Sequence, residues 1–180
     1  MKPDSTTVLV GLVALVLVLA AYAALTGEGV VPDEEPDARE VETLLLDEVN
    51  DVRVERGLDR LERETALEEP ARSHAEHMAE VREVTHEGAD GETPFDRYGE
   101  HCDVMQAENT ASTWFGRNVA YDDEVVHLSS EREVAEHLVD EWMTSRGHRE
   151  TMLGDTWRSA AAGVAVTSDG EVYAAVAFCA

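Results

Sequence analysis

Residues 161–178 read AAGVAVTSDGEVYAAVAF, two apolar runs joined by a short polar turn. Each run has the length of a strand, and Asp169-Gly170 between them is typical of a tight hairpin turn. Both runs are apolar at nearly every position, whereas a strand with one solvent-exposed face alternates between apolar and polar residues. The stretch therefore predicts an antiparallel hairpin in a sheet that lies between helix layers.

The residues before the hairpin show the periodicity and the capping patterns of helices. Residues 40–56 carry apolar side chains three and four positions apart, and Gly57 stands where such a helix would end. Pro70 is predicted to be a first-turn residue of a second helix, and Ser130 opens a capping-box pattern for a third. Residues 102–128 show no clear period and predict short strands with an irregular excursion. This order of elements predicts an α+β fold.

The amino-terminal part carries a separate signal. Residues 8–25 are eighteen consecutive residues without a charge or a proline, which is near the lower limit for a membrane-spanning helix. We predict a signal anchor over residues 1–26, an acidic Pro/Gly linker over residues 27–38 and one domain over residues 39–180.

The charges around this segment indicate its orientation. Lys2 precedes it and four acidic residues follow it closely, which predicts a single-pass protein of the cell membrane with its domain outside the cell. The alternative is a secreted protein, because Ala21 and Ala23 offer the small residues that a signal peptidase reads.

The composition is strongly acidic. Thirty-nine Asp and Glu residues face fourteen Lys and Arg residues, for a formal charge of −25, and Lys2 is the one lysine. Such a surface repels nucleic acid, so a nucleic-acid partner is excluded. It also repels itself unless salt screens it, which predicts a halophilic protein; an ordinary acidic exported protein is the alternative.

The chain has two cysteines, Cys102 and Cys179. An even pair in an exported domain predicts a disulfide, with two buried free thiols as the alternative.

Two of the seven histidines are in positions that suit a functional site. His86 and His148 each stand beside a glycine in a loop that follows a predicted helix, where a rigid scaffold presents functional groups. His74 and His77 share a helix face, and we interpret them as one packed and one solvated imidazole. The remaining three lie among charges and are predicted to be surface residues: His101, His127 and His137.

Several motifs in order resemble one family. Residues 142–149, WMTSRGHR, resemble the W-x-x-S-x-G-H-R run of prokaryotic CAP/SCP domains, which are related to cysteine-rich secretory proteins, antigen 5 and pathogenesis-related proteins. Thr85-His86 followed by the run TPFDR at residues 93–97 resembles a second family motif, and the closing hairpin a third. The resemblance extends over about 140 residues and implies a three-layer α-β-α sandwich.

The resemblance also implies a cleft with two histidines and acidic residues. His86 and His148 match the histidines. Either Glu108 in the run AENTA or Arg117 in the run GRNVA occupies the position of the first acid, and Glu108 is preferred because a second cation would oppose a metal ion there. Ser145 stands where eukaryotic relatives carry the second acid.

Three functions follow from this implied cleft. The leading one is a membrane-anchored binding or interaction module whose ligand is an unknown surface molecule, lipids included. His86, His148 and Glu108 could hold Zn²⁺ or Mg²⁺, or they could form a hydrogen-bonded cluster without metal. The second is a hydrolase, a peptidase or esterase that uses Ser145 with His148, or a metal-activated water with Glu108 as base. The third is a structural surface protein with an inert cleft.

Overall fold

The computed structural model describes residues 35–102, 104–121 and 124–180. It is a mixed α/β domain in which helices pack against a four-stranded sheet. The helices are α1 (Ala38–Glu55), α2 (Thr65–Val81), α3 (Pro94–Tyr98), α4 (Glu131–Thr144) and α5 (Arg146–Met152). The strands are β1 (Glu62–Arg63), β2 (Gln106–Trp114), β3 (Arg117–Tyr121), β4 (Glu124–Leu128), β5 (Ser159–Val166) and β6 (Glu171–Cys179).

The predicted hairpin forms the centre of the sheet. Strands β5 and β6 pair antiparallel, and Gly170 in the turn adopts a φ of 88°, which a residue with a side chain rarely reaches. The order of the sheet is β1-β5-β6-β2, with β1 parallel to β5 and β2 antiparallel to β6. Strand β2 is therefore an edge strand, and β3 and β4 form a separate two-stranded sheet.

Both faces of β6 are buried, as its unbroken apolar run predicts. Val172, Val176 and their alternate neighbours belong to one core cluster with residues of α1 and α4. Tyr173 and Ala175 pack instead with Ala75 and Met78 of α2. Each Å² of apolar surface that is buried stabilises the fold by about 25 cal/mol. Because β6 buries apolar side chains on both faces, the hairpin is the core of the domain.

Helix α1 begins at Ala38, two residues before the predicted stripe and inside the predicted linker, and it ends at Glu55, close to the predicted end. The carboxylate of Asp37 accepts hydrogen bonds from the backbone N–H groups of Arg39 and Glu40, at 2.9 and 3.4 Å. Its apolar stripe, Val41 included, is buried in the first core cluster. Gly57 follows the helix with a φ of 77°, which favours glycine.

Helix α2 begins earlier than Pro70 predicts. Thr65 is its first residue, the side chain of Glu64 accepts a bond from the N–H of Ala66, and Pro70 lies inside the helix. The prediction that Pro70 belongs to the first turn is therefore wrong. Burial of Leu67 on the preceding turn favours the longer helix, because its side chain packs with Tyr98 and Cys102.

Helix α2 also approaches the sheet very closely. A Cβ on Gly163 would lie 2.1 Å from the backbone of Ala71 and Arg72, so only glycine allows this contact. Beside it, Arg72 makes two hydrogen bonds of 2.9 Å to the buried carboxylate of Glu42, which also accepts the N–H of Val164. This buried ion pair joins α1, α2 and the free side of β5.

The disulfide between Cys102 and Cys179 is present, as predicted, with Cα atoms 5.4 Å apart. It ties the segment after α3 to the end of β6 across 77 residues, a loop that corresponds to roughly 4.5 kcal/mol in the chain-entropy treatment.

The structure contradicts one further prediction, which concerns a histidine. His137 is buried, so its predicted surface position is wrong; its ring packs edge-on against Tyr121 at 5.2 Å between centroids.

The predicted anchor, residues 8–25, lies outside the described residues. Among the residues that are described, no helix has both the length and the apolar character that a membrane span needs.

Candidate active cleft

Glu108 is the centre of a buried polar cluster on strand β2. Its side chain is only 1% exposed, and both of its oxygens accept hydrogen bonds. Oε1 lies 2.9 Å from Nδ1 of His86. Oε2 accepts from the hydroxyl of Tyr98 at 2.5 Å and from the guanidinium of Arg97 at 2.9 Å. The carboxylate is thus held by a phenol, a cation and an imidazole, and bonds to a charged acceptor are the stronger kind.

The short helix α3 brings two of these donors to the carboxylate. Thr93 begins the helix with a reciprocal capping box to Asp96, and Pro94 occupies its first turn. Arg97 and Tyr98 on its last turn are both buried and face Glu108. Burial and the neighbouring carboxylate raise the pKa of Tyr98, so it remains a phenol that donates.

His86 carries a fixed tautomer as a consequence of this cluster. A carboxylate oxygen accepts and does not donate, so Nδ1 of His86 carries the hydrogen of the 2.9 Å bond to Glu108. The neutral ring then has its free lone pair on Nε2. Because the side chain is 51% exposed, that lone pair is accessible to a ligand or to a proton.

His148 lies on helix α5, so the prediction that it stands in a loop is wrong: a new helix begins directly after Ser145. Burial lowers the pKa of His148, and the charge of a protonated His86 lowers it further. The backbone carbonyl of His148 accepts a bond of 2.9 Å from the side chain of Asn109, the neighbour of Glu108 on β2. Two neighbouring residues of edge strand β2 therefore hold the two histidines: Glu108 binds the ring of His86, and Asn109 binds the backbone of His148.

A cavity of about 480 Å³ opens beside His148. Strand β2, the end of α4 and the start of α5 line it, together with Val84 from the segment before His86 and with Ala120 and Tyr121 of β3. Ser145 also lines this cavity, at the junction of α4 and α5. Of the sequence-predicted residues, Ser145 and His148 line this cavity, whereas His86 and Glu108 contact each other outside its lining.

Arg117, the alternative to Glu108, lies elsewhere. It is on β3, its guanidinium is stacked 4.0 Å above the ring of Trp114, and it donates to the carbonyl of Asp169. Glu108, and not Arg117, is the residue that contacts His86.

The donor set does not fit the predicted three-ligand metal site. Both oxygens of Glu108 are taken by hydrogen-bond donors, and one of these is the cation Arg97. Over residues 35–102, 104–121 and 124–180, no three His, Cys, Asp or Glu side chains are grouped so that they could hold a metal ion. The role that the geometry gives Glu108 is to orient His86, as carboxylates do for histidines whose other nitrogen is in use.

The geometry also lacks the parts of the two predicted hydrolytic mechanisms. The hydrogen bonds of the described residues do not join Ser145 Oγ to His148, and a nucleophile needs a base within reach. Glu108, the predicted base, is 1% exposed and does not line the cavity, and each of its oxygens already accepts a hydrogen bond.

Three members of the cluster were not predicted as site residues: His74, Arg97 and Tyr98. His74 is fully buried on α2, and its Nε2 lies 3.6 Å from Oε1 of Glu108. The contacts join α2, α3 and β2, so no spacing along the sequence marks them. The one local signal is an arginine in a five-residue helix that ends at a buried tyrosine.

Comparisons with known proteins identify the same fold. A family model described as the cysteine-rich secretory protein family, CAP, matches residues 46–179. An outer surface protein from Borrelia burgdorferi has a similar structure, with a TM-score of 0.62, 23% sequence identity and coverage of 81% of this chain and 96% of that chain. No curated protein matches the chain.

Two longer bacterial proteins are similar over part of their length. One is an extracellular protein with an SCP domain from Bacillus anthracis, with a TM-score of 0.60, 18% identity and coverage of 79% of this chain and 41% of that one. The other is a cysteine-rich secretory protein from Staphylococcus aureus, with a TM-score of 0.50, 16% identity and coverage of 82% and 39%. At these identities the likeness concerns the fold.

Proposed function

The chain belongs to the cysteine-rich secretory protein (CAP) family, and on that basis we propose that it is a membrane-anchored, extracytoplasmic ligand-binding module. The observation that carries the proposal is the cleft itself. His148 lines a cavity of about 480 Å³, which is within the usual range for small-molecule sites, and Val84, two residues before His86, lines it as well. His86 itself presents the Nε2 lone pair that Glu108 leaves free.

The lining of the cavity favours a polar, uncharged ligand. Five hydroxyl side chains, one carboxylate and one imidazole line it: Thr110, Ser112, Tyr121, Thr144, Ser145, Glu141 and His148. Among the described residues that line it, none is a lysine or an arginine, so an anionic ligand would meet no compensating charge. A lipid chain needs a predominantly apolar wall, whereas only four of the eleven lining residues are apolar: Val84, Ala111, Ala120 and Trp142. We therefore infer a polyhydroxylated ligand of the sugar or polyol class.

The location outside the cell is supported by three features. Residues 8–25 have the length and composition of an anchor, with a secreted form after cleavage as the alternative. The Cys102–Cys179 disulfide suits an oxidising compartment. Two structurally similar proteins are described as an outer surface protein and an extracellular protein.

We further infer that the domain is the three-layer α-β-α sandwich that the family resemblance implies. The separate core clusters on the two sides of β6 support it, one with α1 and α4 and the other with α2. In this arrangement the cleft lies at the edge strand β2, where residues from both sides of the sheet can approach.

A ligand titration followed by NMR tests the proposed function. Methyl α-D-glucopyranoside is the polar probe and the uncharged decan-1-ol the apolar one, each added to the purified full-length protein. We expect the glucoside to shift the signals of His148 and Ser145 in a saturable manner, and Thr144→Val to weaken that response. Thr156→Val is the matched control, because Thr156 is exposed and does not line the cavity.

The other outcomes select other functions. Saturable shifts with decan-1-ol alone would indicate a lipid-binding cleft. No shift with either probe would favour the inert structural protein. Release of product from a peptide or ester substrate, abolished by Ser145→Ala, would establish the hydrolase.

A further inference from the structure

His74 is a buried imidazole that touches the loop carrying His86. It lies on α2, its side chain is 0% exposed, and its Nε2 is 2.8 Å from the backbone carbonyl oxygen of Thr85. A carbonyl oxygen accepts and does not donate, so Nε2 of His74 carries the hydrogen. Thr85 is the residue directly before His86, so this bond fixes one end of the peptide unit that leads into the cleft histidine.

The other ring nitrogen of His74, Nδ1, is buried and has no hydrogen-bond partner among the described residues. Burial lowers the pKa of His74, so the ring is neutral and its single proton is on Nε2. A buried polar atom without a partner destabilises the fold, and leucine or methionine would fill the same space without that penalty. The core alone therefore does not explain a histidine at this position.

We propose that His74 is a positioning residue for His86. By binding the carbonyl of Thr85, His74 holds the His86 ring so that Nδ1 of His86 faces Glu108. Residues 82–88 contain no helix or strand, so tertiary contacts must hold them. Three contacts reach the Thr85–His86 unit from three elements. His74 of α2 binds the carbonyl of Thr85, Arg97 of α3 donates to the carbonyl of His86 at 3.4 Å, and Glu108 of β2 binds the ring.

The same geometry makes His74 selective for one tautomer of His86. Nε2 of His74 lies 3.6 Å from Oε1 of Glu108, the oxygen that binds Nδ1 of His86. That distance is too long for a hydrogen bond, so the hydrogen on Nε2 of His74 goes to the carbonyl of Thr85, and Nδ1 of His86 is the N–H that Oε1 accepts. Without His74 the loop is free to turn the ring of His86, and either nitrogen could then meet the carboxylate. His74 accordingly keeps Nε2 of His86 toward the cleft.

Long-range ¹H–¹⁵N NMR of the imidazoles in the full-length protein tests this role, because it reads the tautomer of each ring directly. In the wild type we expect the Nδ1–H form for His86 and the Nε2–H form for His74. His74→Leu should shift the Nδ1–H to Nε2–H ratio of His86 roughly fivefold or more toward Nε2–H, the change that loss of one ordinary hydrogen bond produces. His74→Gln should retain most of the wild-type ratio, because the amide of glutamine offers an N–H near the position of Nε2.

The control separates positioning from general loosening of the core. Met78→Ala removes a fully buried side chain from the same helix without touching the loop carbonyl. A shift of the His86 ratio in Met78→Ala as large as that in His74→Leu would overturn the proposal, as would an unchanged ratio in folded His74→Leu. If His74→Leu does not fold, the wild type decides: an Nδ1–H tautomer on His74 is incompatible with the bond to Thr85.

Discussion

Nδ1 of His86 donates to Oε1 of Glu108 across 2.9 Å, from a half-exposed loop to a carboxylate buried on strand β2. The bond has two consequences. It fixes which nitrogen of His86 faces the cleft. It also occupies Oε1 of Glu108, an oxygen that Glu108 would use if it bound a metal ion or acted as a general base. The CAP cleft of this chain is thus organised around an orienting carboxylate.

Replacing Glu108 should destabilise the domain strongly. Glu108→Ala leaves the guanidinium of Arg97, only 3% exposed, without its buried partner. Breaking a buried ion pair from one side costs about 3–5 kcal/mol, which urea unfolding would measure. Glu92→Ala is the matched control, because it removes the other, 43% exposed partner of Arg97 and should cost less than about 1 kcal/mol. Equal losses in the two variants would contradict the central place of Glu108.

Gly163 should tolerate no side chain. In Gly163→Ala the new Cβ would overlap the backbone of α2, which cannot move without separating the helix from the sheet. We expect a loss of about 3 kcal/mol or failure to fold. Gly147→Ala is the control: its Cβ would meet nothing within 4 Å, and alanine favours the helix there by up to about 1 kcal/mol. A Gly163→Ala protein as stable as the wild type would show that the helix does not pack so closely.

His74 should make the stability of the domain depend on pH. Its pKa in the folded protein lies below 6.5, so the unfolded chain binds a proton more readily. The stability that the neutral ring contributes is fully present above about pH 6.5 and is lost as the pH falls through the folded-state pKa. The difference in unfolding free energy between wild type and His74→Gln should therefore shrink between about pH 7.5 and pH 5. A difference that is constant, or that grows as the pH falls, would contradict a neutral buried ring.

Salt should stabilise the protein by screening its formal charge of −25. We expect the thermal unfolding midpoint to rise by about 5 °C or more as NaCl is added, which is on the order of 1 kcal/mol for a domain of this size. Most of the rise should come below about 1 M, where the Debye length falls from about 10 to 3 Å. A linear rise up to about 3 M would indicate solute exclusion from the surface instead. No response would remove the case for adaptation to high salt.

The local parts of the fold could be predicted from the sequence. The β5–β6 hairpin depends on a short apolar run and an Asp-Gly turn, both of which are local. The start of α2 could not be predicted in this way, because the packing of Leu67 outweighs the preference of Pro70 for a first turn. Long-range packing likewise buries His137, which stands among charged residues in the sequence.

In the site too, residues in local motifs could be predicted from the sequence, whereas residues that act through tertiary contacts could not. His86, Glu108 and His148 could be identified by their motifs, since each motif is a short contiguous run. His74 and Arg97 could not, because their roles depend on hydrogen bonds to a carbonyl and a carboxylate contributed by other elements. Such partners become visible only when the chain is folded.

The loop that carries His86 and helix α5, which carries His148, are distant in sequence, and the proposed function requires their two imidazoles to meet in one cleft. The pKa of His148 tests this most directly. A protonated His86 lowers that pKa, so replacing it with a neutral residue in His86→Gln should raise the pKa of His148 in an NMR titration. His127→Gln, which alters an exposed histidine on β4, should leave it unchanged. If the pKa of His148 is the same in His86→Gln as in the wild type, the two imidazoles do not share a cleft.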